Sequence, residues 1–253
     1  MSASEYVTRD GGHRYPIDTP IWRCPETGAP VNLTAGDGLF RSDIDTGERS
    51  LWRYARAIRV DKSVRADLGE GWTPLFPVAY GGGRPRLKME SMMPTGSFKD
   101  RGMAVLCTYL KANGVTEVML DSSGNAAGAL ACFASVLGLK CTVLVPAHTS
   151  PAKVAQMRAY GATVDLVPGS RQDVTDKALS MAEDGVFYAS HNWQPFFIEG
   201  TKTLAYEIWE QSGFTVPDNV VVPVGGGSNL IGCHIGFAEL KRQGEIDRVP
   251  RLF

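Results

Sequence analysis

Glu117-Val-Met-Leu-Asp-Ser-Ser-Gly-Asn125, continued by Ala126-Ala-Gly-Ala-Leu-Ala-Cys-Phe-Ala-Ser-Val-Leu137, is an apolar run, a turn and an Ala-rich stretch in succession. Val118 to Leu120 are consecutive apolar residues, as in a strand buried on both faces. Ser122-Ser-Gly is a turn signal, and Leu130, Phe133 and Leu137 fall at helical spacing. Gly138 stands where it would stop that helix. A strand that passes directly into a helix is the repeating unit of a parallel α/β sheet.

The same alternation extends downstream. Cys141 to Val145 is an apolar strand closed by Pro146. Ser150 and Pro151 supply an N-cap and a first-turn proline for a helix through Tyr160, which Gly161 ends. Residues 162–167 read as a strand, 171–183 as a helix, 186–189 as a strand and 200–211 as a helix. Asn219 to Val224 is a further strand running into Gly225-Gly-Gly-Ser-Asn229, and Leu230 to Gln243 is helical. The final Val249-Pro-Arg-Leu-Phe253 reads as the opening of another strand. Upstream, residues 1–65 are loop-rich, with Trp22, Trp52 and Tyr54 but little periodicity, and are expected to wrap over the α/β body.

Composition narrows the functions available. The 253 residues are 43% hydrophobic and 21% charged, with net charge −1 and both signs mixed along the chain. No basic footprint for nucleic acid or anionic membrane exists, so a small-molecule partner is expected. The polar N-terminus lacks the apolar core of a signal peptide, and no apolar stretch spans a bilayer. The expected location is the cytoplasm. Five cysteines, Cys24, Cys107, Cys132, Cys141 and Cys233, are scattered and never spaced as C-x-x-C. They support neither a disulfide framework nor a zinc site, and no metal is expected.

Three constellations carry chemistry. In Pro94-Thr-Gly-Ser-Phe-Lys-Asp-Arg-Gly102, Lys99 falls in the first turn of a helix running to about Asn113. The helix macrodipole disfavours a cation there and lowers the lysine pKa, which suits a nucleophilic amine. Taken alone, Lys99 reads better as a solvated surface lysine than as a nucleophile. Ser122-Ser-Gly-Asn125 opens the Ala-rich helix, where backbone N–H groups can hold a carboxylate. Asn125 suits a ring hydroxyl or, as the better reading of that motif alone, a helix cap. Pro223-Val-Gly-Gly-Gly-Ser-Asn229 allows the backbone to curl around a phosphate, or makes a tight structural turn. It is neither a P-loop nor G-x-G-x-x-G.

In this order the three motifs resemble the fold type II family of pyridoxal-5′-phosphate (PLP) enzymes, which includes tryptophan synthase β, threonine synthase, threonine and serine dehydratases and cysteine synthase. The resemblance runs from about Glu70 onward. Gly69-Glu-Gly-Trp-Thr-Pro-Leu75 and Arg86-Leu-Lys-Met-Glu90 resemble strands before the family's lysine loop, and Thr95-Gly-Ser-Phe-Lys-Asp-Arg101 is spelled most like the threonine-synthase branch. The resemblance implies that Lys99 holds PLP as a Schiff base and shuttles protons. It gives Asn125 the PLP ring oxygen, and Gly225, Gly226, Gly227, Ser228 and Asn229 the cofactor phosphate. Ser122, Ser123 and Gly124 receive the substrate carboxylate.

The fold implied is α/β, in two lobes with mainly parallel sheets flanked by helices and PLP in the cleft. Residues 1–102 form an N-terminal wrap and the first part of the large lobe, 103–199 the small lobe, and 200–253 the continuation of the large lobe, which is expected to be incomplete at the C-terminus. The activity implied is a threonine synthase-like lyase acting on a small amino acid by elimination, with or without replacement, in a homodimer. Several features depart from the pattern, among them Met93 and Gln194 where threonine synthases carry asparagine. Where threonine synthases carry a phosphate-gripping arginine this chain has Phe197, which favours a threonine/serine dehydratase-type ammonia-lyase as the alternative. Where the family carries C-x-x-C-G, the segment Cys24-Pro-Glu-Thr-Gly28 keeps one cysteine, too few ligands for a zinc ribbon. A non-catalytic binding protein that keeps the PLP fold is a further alternative.

Overall fold

The computed structural model describes residues 4–253; residues 1–3, the start of the polar N-terminal segment, lie outside the described residues. The loop-rich beginning holds more order than its sequence suggests. Strands β1 (Glu5–Thr8), β2 (Arg14–Pro16) and β3 (Val31–Leu33) make an antiparallel sheet in the order β2-β1-β3. These strands are three or four residues long, too short for alternation to register. A 3-10 helix, Leu51–Ala57, buries Leu51, Trp52 and Tyr54. Strands β4 (Leu75–Pro77) and β5 (Arg86–Lys88) then form a hairpin.

The α/β body follows the expected alternation. Helix α1 (Lys99–Ala112) leads to β6 (Glu117–Leu120), α2 (Asn125–Val136), β7 (Lys140–Pro146), α3 (Pro151–Ala159), β8 (Thr163–Val167), α4 (Arg171–Glu183) and β9 (Phe187–Tyr188). The four strands are all parallel, in the order β8-β7-β6-β9. Both faces are covered. Val118, Leu120 and Val143 join the core shared with α1 and α2, whereas Met119 and Leu144 pack with Val174 and Ala178 of α4. Burial on both sides is why β6 reads as an unbroken apolar run. Gly138 and Gly161 adopt φ of +64° and +91° directly after α2 and α3, the left-handed stop anticipated for each.

The chain continues through α5 (Pro195–Thr201), α6 (Thr203–Gln211), β10 (Asn219–Val220), α7 (Ser228–Arg242) and β11 (Arg251–Leu252). Three boundaries differ from those read in the sequence. The helix placed at 200–211 starts at Pro195, because Gln194 caps it, its side chain accepting from the Phe196 N–H, and is interrupted at Lys202. There the hydroxyls of Thr201 and Thr203 bond the carbonyls of Ile198 and Gly200 and compete with the helix ladder. The strand placed at 219–224 keeps only Asn219–Val220, paired in parallel with β11. Helix α7 begins at Ser228, with Gly227 as its N-cap at φ +86°, so Ser228 and Asn229 are helical.

Glycine fixes how these helices cross. A Cβ on Gly102 of α1 would lie 2.6 Å from the Phe197 ring carbon Cγ, and one on Gly200 of α5 would meet the Arg101 carbonyl and lie 2.8 Å from the Gly102 Cα. On the other side of α5 and α6, a Cβ on Gly236 of α7 would lie 2.5 Å from the Lys202 carbonyl. Helices α1 and α7 are thereby drawn in on either side of α5. Buried ion pairs lock the same crossing. Arg101, fully buried, bonds Glu207 (2.5 and 2.8 Å) and Glu90 (2.7 and 2.8 Å), and Lys88 reaches Glu207 at 2.6 Å. Burial works against the Glu207 charge, yet Arg101 and Lys88 hold its carboxyl well below the usual range.

Gly200→Ala therefore overpacks the α1–α5 contact. It is expected to lower the urea-unfolding free energy by at least about 1–3 kcal/mol; an unchanged midpoint would show that the two helices do not touch there.

Candidate active site

The crossing sets the N-terminus of α1 beside the N-terminus of α7. Lys99 Nζ lies 3.5 Å from Ser228 Oγ, with the Phe98 and Phe197 ring centroids 4.7 and 5.3 Å away. No carboxylate forms an ion pair with Lys99 among the described residues. Burial without a counter-ion lowers the amine's pKa. The loop before it is tightly held: Asp100 accepts from the Thr95 N–H at 2.7 Å, the Ser97 hydroxyl accepts from the Lys99 N–H at 3.2 Å, and Gly96 takes φ +81°. Burial pushes the Asp100 carboxyl up to about 6 against the hydrogen bonds from Thr95.

The triple glycine is open. Gly225 and Gly226 are exposed; a Cβ on Gly225 would meet nothing within 4 Å, and one on Gly226 would approach only Asn192 Oδ1, at 3.1 Å. Gly227 offers no capping side chain, so the first N–H groups of α7 are free for an anion. Asn229 also buries an amide oxygen with no partner. A half-buried amine lacking a counter-ion and an uncapped helix start with free N–H donors fit a phosphate-bearing aldehyde such as PLP.

Ser122 and Ser123 line a polar cavity of about 280 Å³ with Arg171, Tyr188, Ser190 and His191. Asp121 anchors its floor, accepting from Tyr188 (2.6 Å), Arg171 (2.6 Å) and Thr175 (3.0 Å). Asn125 is not the cap of α2. That position belongs to Gly124, and Asn125 is the first helical residue. Its side chain turns to α3, where its Oδ1 accepts from Lys153 Nζ at 2.9 Å. The capping reading failed because Lys153, 28 residues on, supplies a cation that no local pattern reveals. Gly226 and Ser228 border a second, larger cavity of about 660 Å³ between β3, α5 and α7, which does not include Lys99.

His191 joins these regions, lining both cavities with its ring 5.8 Å from that of Phe197. Its Nδ1 is buried without a partner. Burial, and then the Lys99 charge, push its pKa down to about 4, so the ring is neutral at physiological pH. Sequence alone left the surroundings of His191 undefined and carried no sign of Lys153.

The family described as pyridoxal-phosphate dependent enzyme matches residues 66–251 of the chain. The threonine synthase of Methanocaldococcus jannaschii is 35% identical over 253 residues, covering 95% of this chain and 62% of that protein. Among solved structures, a threonine deaminase from T.th. superposes with a TM-score of 0.61 at 32% identity, covering 69% of this chain and 57% of that one. The serine racemase from Dictyostelium discoideum gives 0.62 at 26% identity, covering 72% and 58%. The chain thus spans less than two thirds of the length of these relatives. No helix among the described residues is long and apolar enough to cross a membrane.

The depressed His191 pKa has a consequence for stability. The unfolded chain takes up this proton near pH 6.5 and the folded chain only near pH 4. Between those values unfolding binds a proton, so the residue's contribution to stability falls as pH drops through that window and levels off below it. An NMR titration should place the His191 ring midpoint near pH 4; a midpoint near 6.5 would mean a solvated ring.

Proposed function

Because the chain belongs to the family of pyridoxal-phosphate dependent enzymes, we propose that it is a threonine synthase-like lyase acting on a small amino acid by elimination, with or without replacement. The observation that carries this reading is the Lys99 amine, half-buried, without a counter-ion and 3.5 Å from the hydroxyl at the start of α7. When bound, PLP would act as the electron sink for charge left on the substrate Cα.

The residues then divide the work. Lys99 carries the cofactor and moves the Cα proton at its Nζ, which its lowered pKa allows. Gly225, Gly226, Gly227, Ser228 and Asn229 hold the phosphate through the loop and the free N–H groups of α7. Lys153 occupies the Asn125 oxygen, so the Asn125 amide nitrogen is the group left to donate to the ring oxygen. Ser122, Ser123 and Gly124 hold the substrate carboxylate beside the polar cavity. The Phe98 and Phe197 rings keep water away from the amine. Two lobes, residues 103–199 and the remainder, would close around this cleft. The homodimer is carried over from the resemblance.

One observation favours a second reading. Phe197 is fully buried beside Lys99, and an aromatic ring gives a phosphate ester no charge-assisted bond. This supports a hydroxy-amino-acid dehydratase over an enzyme that eliminates phosphate.

Two measurements test these assignments. Borohydride reduction of the protein with PLP, followed by peptide mass mapping, should leave the adduct on Lys99 and none in Lys99→Ala; an adduct on another lysine, or none, would overturn the assignment. Assays of the two candidate substrate classes separate the readings: phosphate released from O-phosphohomoserine is the outcome expected of the threonine synthase-like lyase. Keto acid from threonine or serine with no phosphate release would overturn it in favour of the dehydratase.

A further inference from the structure

Cysteine spacing leaves Cys24 without companions, but the small N-terminal sheet gives it two. Strand β1 pairs with β2 on one side (Val7 opposite Arg14) and β3 on the other (Thr8 opposite Val31). The loop joining β1 to β2 and the turn ahead of β3 therefore meet at one end of the sheet. The first presents His13 and the second presents Cys24 and Glu26. One ligand atom from each of the three lies within 4.8 Å of the others. The Cys24 Sγ is 3.5 Å from Glu26 Oε2, and His13 Nδ1 is 4.0 Å from the same oxygen. Tetrahedral zinc with such ligands separates them by about 3.3–3.8 Å, so shifts of about 1 Å close the shell.

The backbone is already built to hold these groups. His13 is tied at both ends of its peptide, its N–H bonding Thr8 Oγ1 and its carbonyl accepting from the Thr8 N–H, each at 3.1 Å. The Cys24 turn is closed by Gly28 N–H to the Cys24 carbonyl and by Cys24 N–H to the Ala29 carbonyl, both at 2.8 Å, with Gly28 at φ +68°. Tyr15 adds a hydroxyl 3.1 Å from the Cys24 sulfur and bonded to Glu26.

We propose that His13, Cys24 and Glu26 bind one zinc ion, with the fourth position beside the Tyr15 hydroxyl taken by that group or by water. One imidazole, one thiolate and one carboxylate form a mixed set that suits zinc and is too soft for magnesium or calcium. The ion would clip the two loops of a sheet whose strands are only three or four residues long. It would also fix the segment carrying Trp22, whose ring packs edge-on against Tyr188 and Trp193, 5.0 and 5.5 Å away, in the wall of the polar cavity. This site is independent of the PLP reading, because no residue of the Lys99 region takes part.

The test uses the whole protein, stripped with chelator and titrated with zinc against a chromophoric competitor, and with cobalt as a spectroscopic stand-in. We expect one equivalent of zinc, a thiolate-to-cobalt charge-transfer band, and a loss of at least about tenfold in affinity in each of His13→Ala and Cys24→Ser. Cys132→Ser and Lys99→Ala should bind zinc as the parent does. Circular dichroism identifies any variant that fails to fold, and half-exposed His13 allows a substitution that spares the core. Absence of stoichiometric binding by the parent would overturn the proposal, and so would unaltered binding by a folded His13→Ala.

Discussion

The close approach of three helices is the constraint on which the rest depends. α1 and α5 touch where Gly102 and Gly200 have no side chains, and α7 comes in on the other side where Gly236 meets Lys202. Lys99 and Ser228 belong to helices far apart in the chain, and they meet because these glycines let the helix axes draw together. The buried Arg101–Glu207–Lys88 cluster makes the arrangement singular. A buried charge without its partner is costly, so another crossing would strand Arg101, two residues from Lys99.

Around Lys99 the surroundings are selective in a consistent direction. The amine has aromatic rings and one hydroxyl for neighbours, and its nearest imidazole is neutral. Charge is kept further out, where Asp121 and Arg171 pair in the floor of the polar cavity and Lys153 holds Asn125. A low-dielectric centre ringed by polar groups disfavours the charged form of the lysine and concentrates electrostatic effects at the reacting atoms.

Much of this was legible beforehand. The α4 boundaries, the stops at Gly138 and Gly161 and the unbroken apolar strands β6 and β7 follow from local rules, and each local preference agrees with the fold. The motifs containing Lys99, Asn125 and the triple glycine stood out through their spelling and order. The misses have separate causes. The strands of the N-terminal sheet are too short to show a period, α5 starts ahead of its expected boundary through the Gln194 cap, and Asn125 answers to Lys153 from another helix.

Sequence by itself determined the α/β class, the order of strands and helices and the chemical identity of the residues at the helix starts, because periodicity, turn residues and glycine act over a few neighbours. Only the tertiary structure decided which of those residues meet. The contact of Lys99 with Ser228, the apolar wall of Phe197 and the neutral state of His191 arise from contacts between segments distant in the chain, and the gathering of His13, Cys24 and Glu26 from the pairing of β1 with both β2 and β3. Burial and through-space charge act on the folded neighbourhood, which no local window of sequence contains.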